Sequence, residues 1–386
     1  MKQFLPAVKA AILRVVDFLY PSYLFKVNPR KIVAASFRGT GYSGNAALVL
    51  NELIKQDPTV DAVWLALDVN TKVPAGVRVV KYNSLASYYE LATAHIWIDD
   101  FRKKYFPRKK SGQIYYQTWH GVLPLKKVEA DAESRLDPMY VREAKRDGAI
   151  SDFMVAGNTF TASVYKRAFW FDGKVLPYGT PSLDALLQPA KSFDPGQMKA
   201  KIGLGVKEKV VLYCPTFREQ FRVSDYTLAS RRLLTRLSEQ LGGKWRLLIR
   251  LHPNARRYAN EVITANPGSI DVTGYPDLTD LILAADIIVS DFSSVMFNAL
   301  YADKPVFIFA QDYKDYISNE RGVYSIVNKL PFSVSQSTDE LLLNVAKFDF
   351  VAYQSHRDDF LELIGSSESG HSASELANHI LARIDN

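Results

Sequence analysis

Two histidines sit where an apolar run gives way to a turn, and each has basic neighbours. The first closes QTWHG (117–121): the stretch QIYYQTW runs into His120 and Gly121, and LPLKK (123–127) follows with Lys126 and Lys127. An imidazole, with an ordinary pKa of about 6.5, takes and returns protons at working pH. Beside two ammonium groups it suits a phosphate-sized pocket. The second lies in RLLIRLHPNAR (246–256), where Pro253 fixes His252 and Arg250, Arg256 and Arg257 surround it. An imidazole among guanidinium groups can hold a phosphoryl oxygen and steady the charge on a departing group. Taken singly, each motif also fits a loop histidine satisfied by its own surroundings.

Two more strand ends carry polar side chains. In DIIVSDFSSVMFNAL (286–300) a strand leads to Asp291, and Ser293 and Ser294 open a helix. Free N–H groups at that start, with two hydroxyls, make an anion site; a serine that only caps the helix occupies the same position. YCPTFRE (213–219) puts Thr216 and Arg218 just past a strand, again suited to phosphate. Arg321, in NERGVY, is either a weaker candidate of the same kind or a surface arginine.

Other chemistries lack their residues. There is no Walker A sequence, FRGTGYSGN (37–45) being only glycine-rich, and no Gly-x-Ser-x-Gly elbow or Asp-x-Asp triplet. His120 and His252 have no companions at zinc spacing, so no metal or cofactor is expected. Asp99-Asp100 reads either as a magnesium pair or as a strand-end turn. A single cysteine, Cys214, cannot build an internal disulfide. Lys and Arg outnumber Asp and Glu by 48 to 41, a net +7 that favours phosphates, nucleotides or an anionic membrane. The basic residues are dispersed and form no nucleic-acid module, so nucleic acid is not an expected partner.

Positioning such residues takes a layered fold. Hydrophobic residues make up 47% of the 386, enough for packed cores, and at roughly 150 residues per domain the length favours two. KIVAASF (31–37), DAVWLAL (61–67), HIWID (95–99), QIYYQTW (113–119) and DFMVA (152–156) read as buried strands. Asn45–Gln56 and Ser84–Ala94 read as the helices between them. A second series follows: KVVLYCP (209–215), WRLLIRL (245–251), DIIVS (286–290) and PVFIF (305–309), interleaved with helices at Leu228–Leu241, Leu278–Ala284 and Ser293–Tyr301. Three prolines within Pro181–Gly196 mark the join. The expected architecture is α/β, two doubly wound domains facing a cleft, with function at the carboxyl ends of the strands. The domains are read as 31–185 and 198–350, with helices over 351–386.

Residues 1–30 form a separate amphipathic segment. Ala7, Val8, Ala11, Ile12, Val15, Phe18 and Leu19 gather on one side of a helical wheel, while Lys9, Arg14 and Asp17 break the run well short of the roughly 20 apolar residues that span a bilayer. Such a helix lies in the plane of an anionic membrane surface or packs on its own domain.

Taken in order, QTWHGVLPLKK, LYCPTFRE, RLHP and DIIVSDFSSVMFNAL, then DKPVFIF and RGVY, make the chain resemble the CDP-glycerol glycerophosphotransferase family, over about Lys31 to Tyr324. The resemblance implies a GT-B-like pair of Rossmann-like domains in a peripheral enzyme of the cytoplasmic membrane face. It implies transfer of a polyol phosphate from CDP-glycerol or CDP-ribitol to a hydroxyl of a membrane-linked glycan, teichoic-acid, capsule or lipopolysaccharide acceptor, with release of CMP. The family's two functional histidines fall on His120 and His252, with His120 as the candidate base. Its donor contacts fall around Thr216, Arg218, Arg250, Asp291, Ser293, Ser294 and Arg321. SFRGTGYSGN (36–45) matches its acceptor-side block, making Ser36, Gly39, Tyr42 and Asn45, with Lys126 and Lys127, acceptor-side candidates. Two departures, HGVLPLK for His-Gly-Thr-Pro-Leu-Lys and GTPSLD for Gly-x-Pro-Arg-x-Asp, leave the polyol and the acceptor open. A sugar-nucleotide glycosyltransferase of the same fold, or a non-catalytic membrane-surface binding protein, are the alternatives.

Overall fold

The computed structural model describes residues 19–190, 193–218, 220–291, 293–313 and 322–384. They divide into two compact units. One takes the described parts of Met1–Val122, Val128–Asp184 and Gly365–Asn386; the other takes Leu123–Lys127 and the described parts of Ala185–Ile364.

The first unit is built on seven strands: β1 (Asn28–Ala35), β2 (Asp61–Ala66), β3 (Val77–Lys81), β4 (Ala94–Asp99), β5 (Ile114–Gln117), β6 (Phe153–Val155) and β7 (Lys174–Leu176). All pair in parallel, in the order β3-β2-β1-β4-β5-β6-β7. A strand in such a sheet is covered on both faces, so alternate residues feed different cores. Along β1, Ile32 and Ala34 pack with Leu50 and Leu53 of the Gly44–Gln56 helix and with Leu376 and Ile380 of the Ser372–Ile384 helix. Val33 and Ala35 point the other way, toward Leu91, Trp97 and Phe106.

The second unit carries β8 (Lys209–Cys214), β9 (Trp245–Ile249), β10 (Ile270–Asp271), β11 (Ile287–Ser290), β12 (Val306–Phe309) and β13 (Ser333–Ser335). These too are parallel, ordered β10-β9-β8-β11-β12-β13. Val211, Tyr213, Leu247, Ile249 and Val289 form one core face, closed by Leu233 and Leu237 of the Ser230–Leu241 helix and by Leu341 and Val345 of the Thr338–Ala346 helix.

The α/β expectation of two doubly wound, Rossmann-like domains holds. Each strand order reverses once, between β1 and β4 in the first sheet and between β8 and β11 in the second. Four strands had not been expected: β3, β7, β10 and β13. Several expected elements are shorter than read. The 113–119 run yields only Ile114–Gln117, because Trp119 turns into the left-handed region (φ 54) and takes the chain off the strand. The helix expected from Leu228 starts at Ser230, after left-handed Ala229, and the one expected from Ser293 starts at Val295. The amphipathic segment falls largely on residues 1–18, outside the described residues. Among the described residues no helix is long and apolar enough to cross a membrane.

Candidate active site

Where neighbouring strands of a doubly wound sheet send their chains to opposite faces, a crevice opens at the carboxyl ends. In the first unit that point lies between β1, which continues into Ser36, and β4, which continues into Asp100. Asp100 is fully buried; its Oδ2 accepts from Ser36 Oγ (2.6 Å) and its Oδ1 from the Phe37 N–H (3.1 Å). The carboxylate thereby holds a turn whose Phe37 (φ 42) and Arg38 (φ 56) both lie in the left-handed region, a conformation that costs non-glycine residues about 1–3 kcal/mol each. Gly44 (φ +75) packs against the same group, where a Cβ would stand 2.2 Å from Asp100 Oδ2. Burial, reinforced by the neighbouring Asp99, pushes the Asp100 carboxyl up to about 7. Asp99 itself pairs with buried Lys103 at 2.6 Å. Asp99-Asp100 is thus a strand end whose carboxylates already have partners in the protein.

His120 follows β5 on the same side of the sheet. Two ties fix the residue before it: the Trp119 N–H donates to Gln117 Oε1 (3.0 Å), and the Trp119 carbonyl accepts from Nδ2 of Asn45 (2.8 Å), whose Oδ1 in turn accepts the Ser182 N–H (2.9 Å). The imidazole lies among Trp119, Phe101 and Phe37, at ring-centroid distances of 4.4, 5.0 and 5.4 Å. One edge of the residue stays open to solvent. Its Nδ1 is 2.8 Å from the Asp100 carbonyl oxygen. A carbonyl can only accept, so Nδ1 carries the proton and Nε2 keeps its lone pair. Burial lowers the His120 pKa below the usual histidine value, partly offset by that hydrogen bond. In the neutral imidazole, which that lowered pKa favours, the basic nitrogen is Nε2.

The other acceptor-side candidates divide. Ser36 and Asn45 serve this architecture directly. Gly39 (φ +88) completes the turn, its N–H bonded to the Ser36 carbonyl (2.7 Å), where a Cβ would press on Leu67 and Tyr82 at 3.0 Å. The Tyr42 hydroxyl is spent on Asn51 Oδ1 (2.6 Å), with its ring on Trp64. Lys126 and Lys127 belong to the second unit: Lys126 forms a bridge with Val323, and the Lys127 N–H donates to the Gly322 carbonyl (2.9 Å). Arg321 lies outside the described residues.

In the second unit the corresponding point lies between β8 and β11, and Thr216 and Asp291 meet there. The Thr216 N–H reaches both Asp291 oxygens at 3.0 Å, and its Oγ1 also bonds Oδ1. Arg218 is clamped from two sides. Nη1 bonds Asp291 Oδ2 (2.9 Å), while Nε and Nη2 form a bidentate pair with Asp312 (2.9 Å each). Burial works to raise the Asp312 carboxyl, but the Arg218 bonds and charge prevail and hold it below the usual carboxylate value. Asp312 has no sequence signal, since only the fold brings it beside Arg218. Ser293 Oγ accepts the Val295 N–H (3.3 Å), and Ser294 makes no side-chain bond to the helix it precedes.

His252 follows β9, packed at 5.9 Å on Phe217, the residue between Thr216 and Arg218. Its Nδ1 accepts the Asn254 N–H (3.2 Å), so the proton sits on Nε2. Burial lowers its pKa as well. Arg250 donates through Nη1 to the Tyr275 carbonyl, and among the described residues neither Arg250 nor Arg256 pairs with a carboxylate. The second unit thus presents an N–H donor and unpaired guanidinium charge, while the first presents a lone pair. Among the described residues no group of three or more His, Cys, Asp or Glu side chains is placed to hold a metal ion.

A family model described as CDP-glycerol:poly(glycerophosphate) glycerophosphotransferase matches residues 18–382. The teichoic acid poly(glycerol phosphate) polymerase of Staphylococcus epidermidis is 28% identical over 367 residues, covering 92% of this chain and 51% of that protein. This chain thus spans about half the length of that relative. The teichoic acid glycerol-phosphate transferase of Staphylococcus aureus is 25% identical over 367 residues, covering 92% of this chain and 93% of its own. Among solved structures, the wall teichoic acid polymerase TagF superposes with a TM-score of 0.81 at 27% identity, over 100% of this chain and 96% of that one. A variant of that polymerase has also been solved after soaking with CDPG.

Proposed function

The chain belongs to the CDP-glycerol:poly(glycerophosphate) glycerophosphotransferase family, and from that premise we propose that it moves glycerol phosphate, or a related polyol phosphate, from a CDP-polyol to an acceptor hydroxyl. The acceptor is a membrane-linked glycan or teichoic-acid chain, and the released product is CMP. The observation that carries the mechanism is the opposite tautomers of the two histidines.

His120 Nε2 takes the proton of the acceptor hydroxyl as its oxygen attacks the β-phosphorus of CDP-glycerol. The new P–O bond forms while the bond from that phosphorus to the bridging oxygen breaks, and the bridging oxygen leaves with its electron pair on CMP. His252 Nε2–H, with Arg250 beside it, hydrogen-bonds the phosphoryl and leaving-group oxygens as charge builds there. Such transfers depend chiefly on positioning and fixed charge. Ser293 and Ser294, with Arg321, bind the donor phosphates, while Thr216, whose N–H and hydroxyl are spent on Asp291, fixes the turn after β8. Arg218, neutralised by Asp291 and Asp312, holds their loops in place. On this reading residues 31–185 serve the acceptor and residues 198–350 the donor. The net charge of +7 and the basic, apolar segment at residues 1–30 support a peripheral site at the cytoplasmic membrane face.

The test incubates the purified chain with an acceptor lipid and CDP-glycerol, CDP-ribitol or a UDP-sugar, and weighs the products. A mass increment of one or more glycerol phosphates with stoichiometric CMP is expected. Transfer of a sugar with UDP release, or no turnover of either CDP-polyol, overturns the proposal.

A further inference from the structure

Arg38 stands out within the turn held by Asp100. Its guanidinium carbon lies 4.9 Å from the Phe101 ring centroid, and the His120 ring stacks on that same phenyl group at 5.0 Å. Among the described residues no carboxylate pairs with Arg38, and its buried Nε has no hydrogen-bond partner. The Tyr82 hydroxyl, also buried without a partner among those residues, belongs to the side chain that Gly39 of the same turn abuts. The adjoining residues behave differently: Ser36 and the Phe37 N–H are both satisfied by Asp100. The protein therefore keeps two consecutive left-handed residues, Phe37 and Arg38, and the result is a forked cation with an unspent donor on the phenyl ring that also carries His120. A guanidinium so placed matches two oxygens of a phosphate.

We propose that Arg38 binds the phosphodiester next to the attacking hydroxyl of the acceptor, so that the enzyme prefers acceptors already ending in a polyol phosphate over neutral glycan ends. This rests on the proposed transferase function, with His120 as base. The donor's phosphates have their own cations and hydroxyls in the other unit, whereas Arg38 shares a ring with the group that deprotonates the acceptor. Cation–π contact with Phe101 holds the guanidinium plane and leaves its N–H edge for the ligand.

Two synthetic acceptors test this, identical except that one ends in glycerol phosphodiester and the other in the neutral sugar. Initial rates with CDP-glycerol are compared for the wild type, Arg38→Gln and Arg38→Lys, and donor affinity is measured by calorimetry. Arg38→Gln should raise KM for the phosphodiester acceptor by about 10- to 100-fold. It should leave the neutral acceptor and the donor Kd nearly unchanged, while Arg38→Lys, which keeps the charge but not the fork, falls between. Equal losses with both acceptors, or no loss with either, overturn the assignment; because the Lys variant preserves charge and length, a wholesale loss there as well counts as a turn-building role. If the wild type transfers to neither acceptor, the transferase function fails and this proposal falls with it.

Discussion

Two imidazoles with nearly the same surroundings in the sequence end with their protons on opposite nitrogens, and backbone groups decide which. The Asp100 carbonyl can only accept, so His120 exposes a lone pair; the Asn254 N–H can only donate, so His252 exposes a proton. A glutamine reaches about as far as Nε2 and carries an amide N–H there, but it has no basic nitrogen. His252→Gln should therefore retain more single-turnover CMP release than His252→Ala, whose expected loss is about 10²- to 10³-fold, as for removal of one donor to a developing oxyanion. His120→Gln should be no better than His120→Ala, at about 10²- to 10⁴-fold below the wild type. Glutamine rescue at position 120 but not at 252 would reverse the assignment. Both histidines were legible from strand-end position and basic neighbours. Their tautomers were not, because the deciding partner of His120 lies twenty residues upstream, just past the end of another strand.

At the scale of elements, strands announced themselves when they were long enough to show two buried faces. KIVAA and KVVLYC are apolar at nearly every position because helices cover both sides. β7 and β13 have three residues and β10 two, too few for any period, whereas the equally short β6 showed through the apolar run DFMVA around it; β3 is an edge strand whose VRVVK mixes charge with valine. The ties between elements were equally hidden. Asn45 was legible as part of a glycine-rich block, but its task depends on tertiary placement: it fastens the first turn of the Gly44–Gln56 helix to Trp119 on one side and to Ser182 on the other. Asn45→Ala leaves both backbone groups without that partner and frees the loop that presents His120. We expect kcat to fall by about 10- to 100-fold, since small displacements of a catalytic group are costly. Donor affinity should be unchanged, because both groups that Asn45 holds lie in the first unit. A rise in donor Kd with kcat preserved would show that Asn45 binds substrate rather than positioning the base.

Over the whole chain, two Rossmann-like units were readable from composition and the alternation of elements, but the path of the chain at its end was not. After the Phe350–Leu363 helix, residues from Gly365 onward return to the first unit, where Asp184 accepts the N–H groups of Ser372 and Ala373. Glu368 secures that return. Its Oε2 accepts the Thr180 N–H (2.7 Å) and its Oε1 the Thr180 hydroxyl (2.6 Å). A Cβ at Gly157 would stand 1.7 Å from Oε1. Burial, the largest cause, drives the Glu368 carboxyl up to about 7, with the Asp184 charge adding to it against the bonds from Thr180. A carboxyl whose pKa is raised on folding binds its proton more tightly in the native state. Its stabilising contribution is complete below the unfolded value of about 4.3 and is lost as pH rises through about 7. Other groups of the chain titrate over the same range, so the informative quantity is the difference between Glu368→Gln and the wild type, in which their contributions cancel. The amide costs a constant amount, because it offers Thr180 one acceptor fewer, but it does not titrate. On raising pH from 5 to 8, the Tm of the variant relative to the wild type should therefore climb by roughly 3–8 °C. A Tm difference that stays flat across this window would mean that Glu368 keeps an ordinary pKa and closes the chain by hydrogen bonding alone.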